Sequence, residues 1–174
     1  MNGTRKWVLA GLAGLVFALQ PLAAAGEDIS GLITATRIIR ADSRLVGDVT
    51  CMVTGAPCIQ FGAPRIGLRL NGFTISGQGD PNNACSGAFT AGEQGINTGN
   101  QPEIEIRGPG VVRNFRSDGV LFAGSVGGRV EGITVTTNCQ SGIRVMPNSS
   151  RITITSNISV RNGASSAGLA CGGI

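Results

Sequence analysis

The chain has 174 residues, 28 of them Gly, with 14% charged and 4% aromatic residues and a formal net charge of +4. There is no His and no Tyr, and the single Trp (Trp7) and single Lys (Lys6) both stand near the start. The rest of the chain therefore lacks Ser-His-Asp and Cys-His nucleophiles, His-based metal sites, Lys Schiff bases and Trp or Tyr platforms for sugars, and keeps only carboxylates, Arg, Ser/Thr and main chain for chemistry.

Residues 1–25 read as a secretory signal peptide. Arg5 and Lys6 precede the apolar run Trp7–Leu19, and Gln20–Ala25 supplies small residues in an A-x-A arrangement. The run is short for a membrane span, so the reading predicts cleavage before Gly26, a secreted or periplasmic product and no membrane span thereafter. Beyond residue 25 there are 12 Arg against 10 acidic residues. That balance gives no support to a nucleic-acid role.

Residues 26–62 are expected to cap the domain, with short strands around Val49–Cys51 and Cys58–Phe61. Residues 63–174 are expected to form repeated rungs, with an insertion at about 77–94 that contains Asp80-Pro81-Asn82-Asn83. From about residue 96 a spacing of 24 recurs: Asn114/Asn138/Asn162, Ser117/Ser141/Ser165, Ile106/Val130/Ile154 and Leu121/Val145/Leu169, with Ile96/Val120 one step earlier. Alternation such as Ile104-Glu105-Ile106, Ile133-Thr134-Val135 and Ile158-Ser159-Val160 predicts short strands with one buried face. Three such strands and their turns in about 24 residues predict an all-β, right-handed parallel β-helix, a three-sheet solenoid incomplete at its C-terminal end. Asn114, Asn138 and Asn162 each follow a strand, where Asn tolerates the left-handed conformation and stacked amides can bond along the solenoid. They are expected to form a structural ladder. Thr136 falls where Val112 and Val160 stand relative to the Asn, which predicts a bulge or longer turn in the middle rung.

Five cysteines in an exported chain imply disulfides with one left over. Cys51 and Cys58 are expected to close a small loop, and Cys85 is expected to reach Cys139 or Cys171.

The segments Asp42–Cys51, with Leu45-Val-Gly-Asp48-Val-Thr-Cys51, and Ile66–Gly77, with Leu70-Asn71-Gly72-Phe-Thr-Ile75-Ser-Gly77, resemble the opening of secreted bacterial right-handed parallel β-helix repeat proteins of the pectate-lyase-like superfamily. The resemblance spans about residues 33–170 and implies the fold. Characterised relatives include polysaccharide lyases, hydrolases and epimerases, which work on the outward face of the first sheet.

Phasing by Leu70, Ile106, Val130 and Ile154 puts Arg69, Glu105, Arg129 and Thr153 in one outward column and Asn71, Arg107, Glu131 and Thr155 in the next. Arg69, Glu105, Arg107, Arg129 and Glu131 are the candidate glycan-contact residues. The same charges also serve as cross-strand pairs, Glu105–Arg129 and Arg107–Glu131, that hold register. Asp118 is the best-placed single acid, with Gly142 and Ser166 in its column and no second carboxylate, as hydrolysis would need. The expected function is a non-catalytic exported solenoid that contacts extracellular or cell-envelope polysaccharide or plays a structural or adhesive role. No metal or cofactor is expected. The alternative is a lyase-like enzyme acting on a uronate glycan, with Ca²⁺ entering only in that case.

Overall fold

The computed structural model describes residues 26–79, 85, 91–163 and 172–174. The expected signal peptide, the Asp80–Asn83 turn, Ser165, Ser166, Leu169 and Cys171 lie outside the described residues. Every regular element among the described residues is a β-strand, and none of them is a helix that could cross a membrane. In chain order these are β1 (Asp28–Ile33), β2 (Arg37–Ile39), β3 (Ser43–Cys51), β4 (Ile59–Phe61), β5 (Gly67–Arg69), β6 (Thr74–Ser76), β7 (Ile96–Asn97) and β8 (Glu105–Arg107). They continue as β9 (Val111–Arg113), β10 (Val120–Phe122), β11 (Arg129–Glu131), β12 (Thr134–Thr136), β13 (Ile143–Val145), β14 (Thr153–Thr155) and β15 (Ile158–Val160).

All of these strands pair in parallel, and consecutive strands of the chain enter different rows. The long strand β3 joins two wings: its start pairs with β5 through Ser43 and Arg44, and its end pairs with β6 through Val49 and Thr50. From there the wings run β5-β8-β11-β14 and β6-β9-β12-β15, while β1 lies along β3. A second sheet has the order β2-β4-β7-β10-β13. The result is an all-β, parallel, strongly curled arrangement of the β-helix-like kind. Strands β1–β4 of the 26–62 segment are continuous with the later rows.

The short strands from β1 to β14 form because each has a β-branched or aliphatic residue at an inward position, where it stacks on its equivalent one repeat away. Leu68, Ile106 and Val130 line one wing, Ile75, Val112 and Val135 the other, and Ile59, Ile96, Val120 and Ile143 the second sheet, all of them fully buried in one apolar cluster. Backbone corners turn the chain between rows. Glu103, Gly127 and Arg151 (φ 56°, 75° and 55°) stand two residues ahead of β8, β11 and β14. Asn114, Thr137 and Arg161 (φ 60°, 53° and 55°) directly follow β9, β12 and β15. Non-Gly residues pay about 1 kcal/mol or more for that conformation, so the inter-row hydrogen bonds must hold them there.

The period is 24 in the first wing, where Glu105, Arg129 and Thr153 are in register. It drops to 23 where Val112 meets Val135 and where Val120 meets Ile143. The longer turn therefore lies one rung earlier than the spacing predicts. Gly108-Pro109-Gly110 separates β8 from β9, whereas only Gly132-Ile133 separates β11 from β12. A one-residue slip moves every later residue to the other face of its strand. Leu121 accordingly faces Arg144, not Val145, and Val145 is 39% exposed. In β15 the inward residue is Ser159, opposite Val135, while Ile158 and Val160 are exposed.

The same slip sets the asparagines. Asn138 Nδ2 donates to Asn162 Oδ1 at 3.0 Å and to the Val112 carbonyl at 3.3 Å, and Asn162 Nδ2 donates to the Val135 carbonyl at 3.0 Å. Asn114 is not in this stack. Its corner equivalent is Thr137, whose hydroxyl donates to Asn114 Oδ1 at 2.6 Å. Phe115 holds the ladder position instead, and its N–H donates to Asn138 Oδ1 at 3.1 Å.

Two disulfides join described cysteines: Cys51–Cys58, with Cα atoms 5.8 Å apart, and Cys85–Cys139, at 5.4 Å. Such bridges persist in oxidising compartments outside the cytoplasm. By chain entropy the first closes a short loop worth about 2 kcal/mol, and the second a longer one worth about 4 kcal/mol.

Candidate functional site

The outward face of the first wing carries the charged columns, in a register that differs from the phasing. Leu68, not Leu70, lies opposite Ile106, so Arg69 faces Arg107 and Gly67 faces Glu105. Both leucines are fully buried, which is why apolar character alone misplaces the strand. Leu70 already belongs to the turn, and Asn71 (φ 50°) points its amide back to the Leu45 carbonyl, 3.0 Å away. One column is therefore Gly67, Glu105, Arg129 and Thr153, and the next is Arg44, Arg69, Arg107, Glu131 and Thr155.

Along these columns four charges form an alternating chain. Arg107 pairs with Glu105 on its own strand and, at 3.6 Å, with Glu131 on the next. Arg129 Nε donates to Glu131 Oε2 at 2.8 Å. The expected Glu105–Arg129 pair is absent among the described residues, because each partner is engaged along its own strand. The hydrogen bond and charge of Glu105, assisted by Glu131, hold Arg107 above its already high ordinary pKa.

Beside β5 these residues open into a cleft of about 420 Å³. Gly67 and Leu68 form its floor, Glu105 and Arg107 one wall, and Glu27 and Asp28 with Asp42 and Arg44 the other. The carboxylates are all engaged. Asp28 takes two hydrogen bonds from Arg44, at 2.7 and 3.3 Å, and the Arg44 guanidinium holds it below the ordinary Asp range. Glu27 pairs with Arg37 at 2.6 Å, and Asp42 accepts from the Gly67 N–H at 2.8 Å. Arg69, exposed at the centre, makes no ion pair among the described residues.

Of the five candidate residues the cleft gathers Arg69, Glu105 and Arg107, and leaves Arg129 and Glu131 on the adjoining surface. It adds Asp28, Asp42 and Arg44, which a reading of 26–62 as a cap passes over. The cue available was the alternation in Ser43–Cys51, whose outward residues begin with Arg44. Among the described residues no three carboxylate or cysteine side chains converge as a metal ion would require.

A second polar cluster lies inside the turns. Asp118 is 1% exposed and Glu93 is 3% exposed. Asp118 Oδ1 accepts from the Ser141 N–H at 3.1 Å, and Arg144 stands 3.8 Å from Oδ2. Ser141, one residue earlier than the expected Gly142, is thus its neighbour in the next rung. Glu93 Oε1 accepts from the Gly55 N–H at 2.9 Å and Oε2 lies 3.5 Å from Arg116, which ties the Cys51–Cys58 loop to two rungs. With so little exposure, these carboxylates act on the fold rather than on a substrate.

Burial pushes the Asp118 carboxyl up, against the opposing pull of the Ser141 N–H and Arg144. A raised folded-state pKa means that the native chain binds the proton more tightly than the unfolded one. Its favourable contribution is present in acid, below the unfolded pKa, and is lost as pH rises through the folded one. Asp118→Asn keeps the acceptor for Ser141 and cannot ionise. The expected result is a higher Tm than the parent at neutral pH, with the difference disappearing in acid. Thermal melts of the two proteins across pH measure it, and a variant destabilised at neutral pH would reverse the assignment.

Comparison with family models, with curated proteins and with solved structures finds no match for the chain.

Proposed function

We propose that the chain is an exported, right-handed, three-sided parallel β-helix of the pectate-lyase-like kind that binds an acidic, uronate-bearing polysaccharide in the Arg69 cleft without cleaving it. Arg69 carries this reading: it is the cleft's one cation without an acidic partner among the described residues. Its guanidinium fork suits a sugar carboxylate. The surrounding carboxylates still have lone pairs for sugar hydroxyls, which replaces the stacking that Trp or Tyr would supply.

The non-catalytic part of the reading is supported by Arg107. An arginine serving as base in β-elimination must release a proton, and Glu105 and Glu131 hold it protonated. Glu93 and Asp118, the buried acids, have no exposed face for a glycosidic bond.

Affinity electrophoresis of the exported protein in gels containing polygalacturonate, alginate or neutral dextran tests the proposal. Retardation is expected in the uronate gels alone, weakening with added salt, and no unsaturated uronate should form. Arg69→Ala should lower affinity at least about tenfold, as the loss of a charged hydrogen-bonding partner costs about 1.5–3 kcal/mol. Equal retention on dextran, or full retention by Arg69→Ala, would sink it. Bond cleavage would restore the lyase alternative.

A further inference from the structure

One wall of the cleft ends at the expected processing point. Gly26, the first residue after the predicted cleavage at Ala25, lines the cleft with Glu27 and Asp28. Its place is tightly set. The Glu27 carbonyl accepts from the Arg44 N–H at 2.9 Å, and Asp28 and Ile29 are in register with Arg44 and Leu45. A Cβ on residue 26 would collide with the Asp42 carbonyl oxygen, so glycine alone lets the chain pass here. The charged groups facing this end of the cleft are Glu27, Asp28, Asp42 and Glu105 against Arg44, Arg69 and Arg107. With Arg37, which pairs with Glu27, the two signs are already equal, and an ammonium group at Gly26 adds a net positive charge.

We propose that removal of residues 1–25 completes the binding cleft, because the new α-ammonium group of Gly26 becomes a ligand-contacting cation alongside Arg69. The inference rests on the cleft reading above and adds a residue and a maturation step to it. Before processing, the nitrogen of residue 26 is a neutral amide. After processing it carries a charge whose ordinary pKa is about 7.7–8.0. The cation is present below that range and lost above it, whereas the arginines stay charged throughout.

The sequence permits an unusually selective test. No Lys occurs between residues 26 and 174, so over these residues the α-amine is the one primary amine that acetylation can reach. The full chain is expressed with residues 1–25, the exported product is collected, and its N-terminus is read from the intact mass. Binding of oligogalacturonate is then measured before and after acetylation, at about pH 6 and about pH 9, on either side of the amine's titration. Acetylation is expected to weaken binding about five- to tenfold at the lower pH and to leave it unchanged at the higher, where the unmodified protein has already lost the same factor.

Unchanged binding after acetylation, with Gly67→Val still abolishing it, overturns the inference and leaves the cleft reading standing. If Gly67→Val also binds normally, the cleft reading fails and the inference with it. A loss on acetylation that persists undiminished at about pH 9 overturns the inference too, since about a tenth or less of an ordinary α-amine is still charged there. So does an exported product that starts elsewhere than at Gly26.

Discussion

Gly67→Val is expected to abolish uronate binding while leaving the fold intact or slightly more stable. Gly67 lies in β5 with an ordinary strand conformation, opposite Glu105. An added Cβ would meet the Glu105 carbonyl oxygen at 3.5 Å and Asp42 Oδ1 and Glu105 Cβ at 3.7 Å, all ordinary contacts. Its N–H would still donate to Asp42. Valine suits a strand better than glycine, by a few tenths to about 1 kcal/mol, so Tm should hold or rise. The isopropyl group, however, occupies the cleft floor between Asp42 and Glu105, where a sugar ring would have to sit. Titration with oligogalacturonate should show at least about a tenfold loss, above 1.4 kcal/mol. Arg113→Ala, on the other wing and bonded to Ser76 at 3.1 Å, is the control that should bind normally. Normal binding by Gly67→Val would place the glycan somewhere other than this cleft.

Asn138→Ala should be the most damaging single change to the fold, and Asn114→Ala a mild one. Asn138 is fully buried. Its side chain accepts from Phe115 N–H and donates to Asn162 and the Val112 carbonyl, so alanine strands the buried Phe115 N–H and takes a donor from the Val112 carbonyl, while Asn162 Oδ1 keeps only the Asn138 main-chain N–H. Each such group costs about 1–3 kcal/mol, and a total of about 3–5 kcal/mol would remove much of the 5–15 kcal/mol that folded domains have. Among the described residues the Asn114 side chain bonds Thr137 alone, and Asn114 holds a left-handed corner, so its loss should cost about 1 kcal/mol and Asn114→Gly less. Urea unfolding of the three variants gives the order. Equal effects at 114 and 138 would mean that all three asparagines stack as one column.

That ranking shows where the residues were legible and where they were not. Strand identity was readable because β-branched residues at alternate positions recur with their turns. The 24-residue step correctly joins Glu105 to Arg129 and Thr153, and Ile96 to Val120. It fails at Val112, Asn114 and Leu121, since Gly108-Pro109-Gly110 has one residue more than Gly132-Ile133 and a single average period cannot register it. Glycine held a cue that spacing did not use: Gly119 and Gly142 lie beside the ladder, where a Cβ would stand 2.7 Å from Asn138 Nδ2 and Asn162 Nδ2 respectively. At the cleft the ambiguity is of another kind. Leu68 and Leu70 are equally apolar and equally buried, and choosing the wrong one shifts Arg69 from Arg107 to Glu105.

The residues by themselves determine the chemistry on offer and the class of fold. Without His, Tyr or a Lys beyond Lys6, the site has to work through arginine, carboxylates and main chain, and the alternating β-branched segments must pair as short strands. Only the tertiary structure decides which charges meet. Cross-strand neighbours are set by register, and register is set by turn length, by buried contacts and by where β3 lies between β1 and β5. Those relations bring Gly26, Asp28, Asp42 and Arg44 to Arg69 from a segment with no detectable share in the repeat. They also leave Arg69, among the described residues, without the acidic partner that each neighbouring arginine of its column has found.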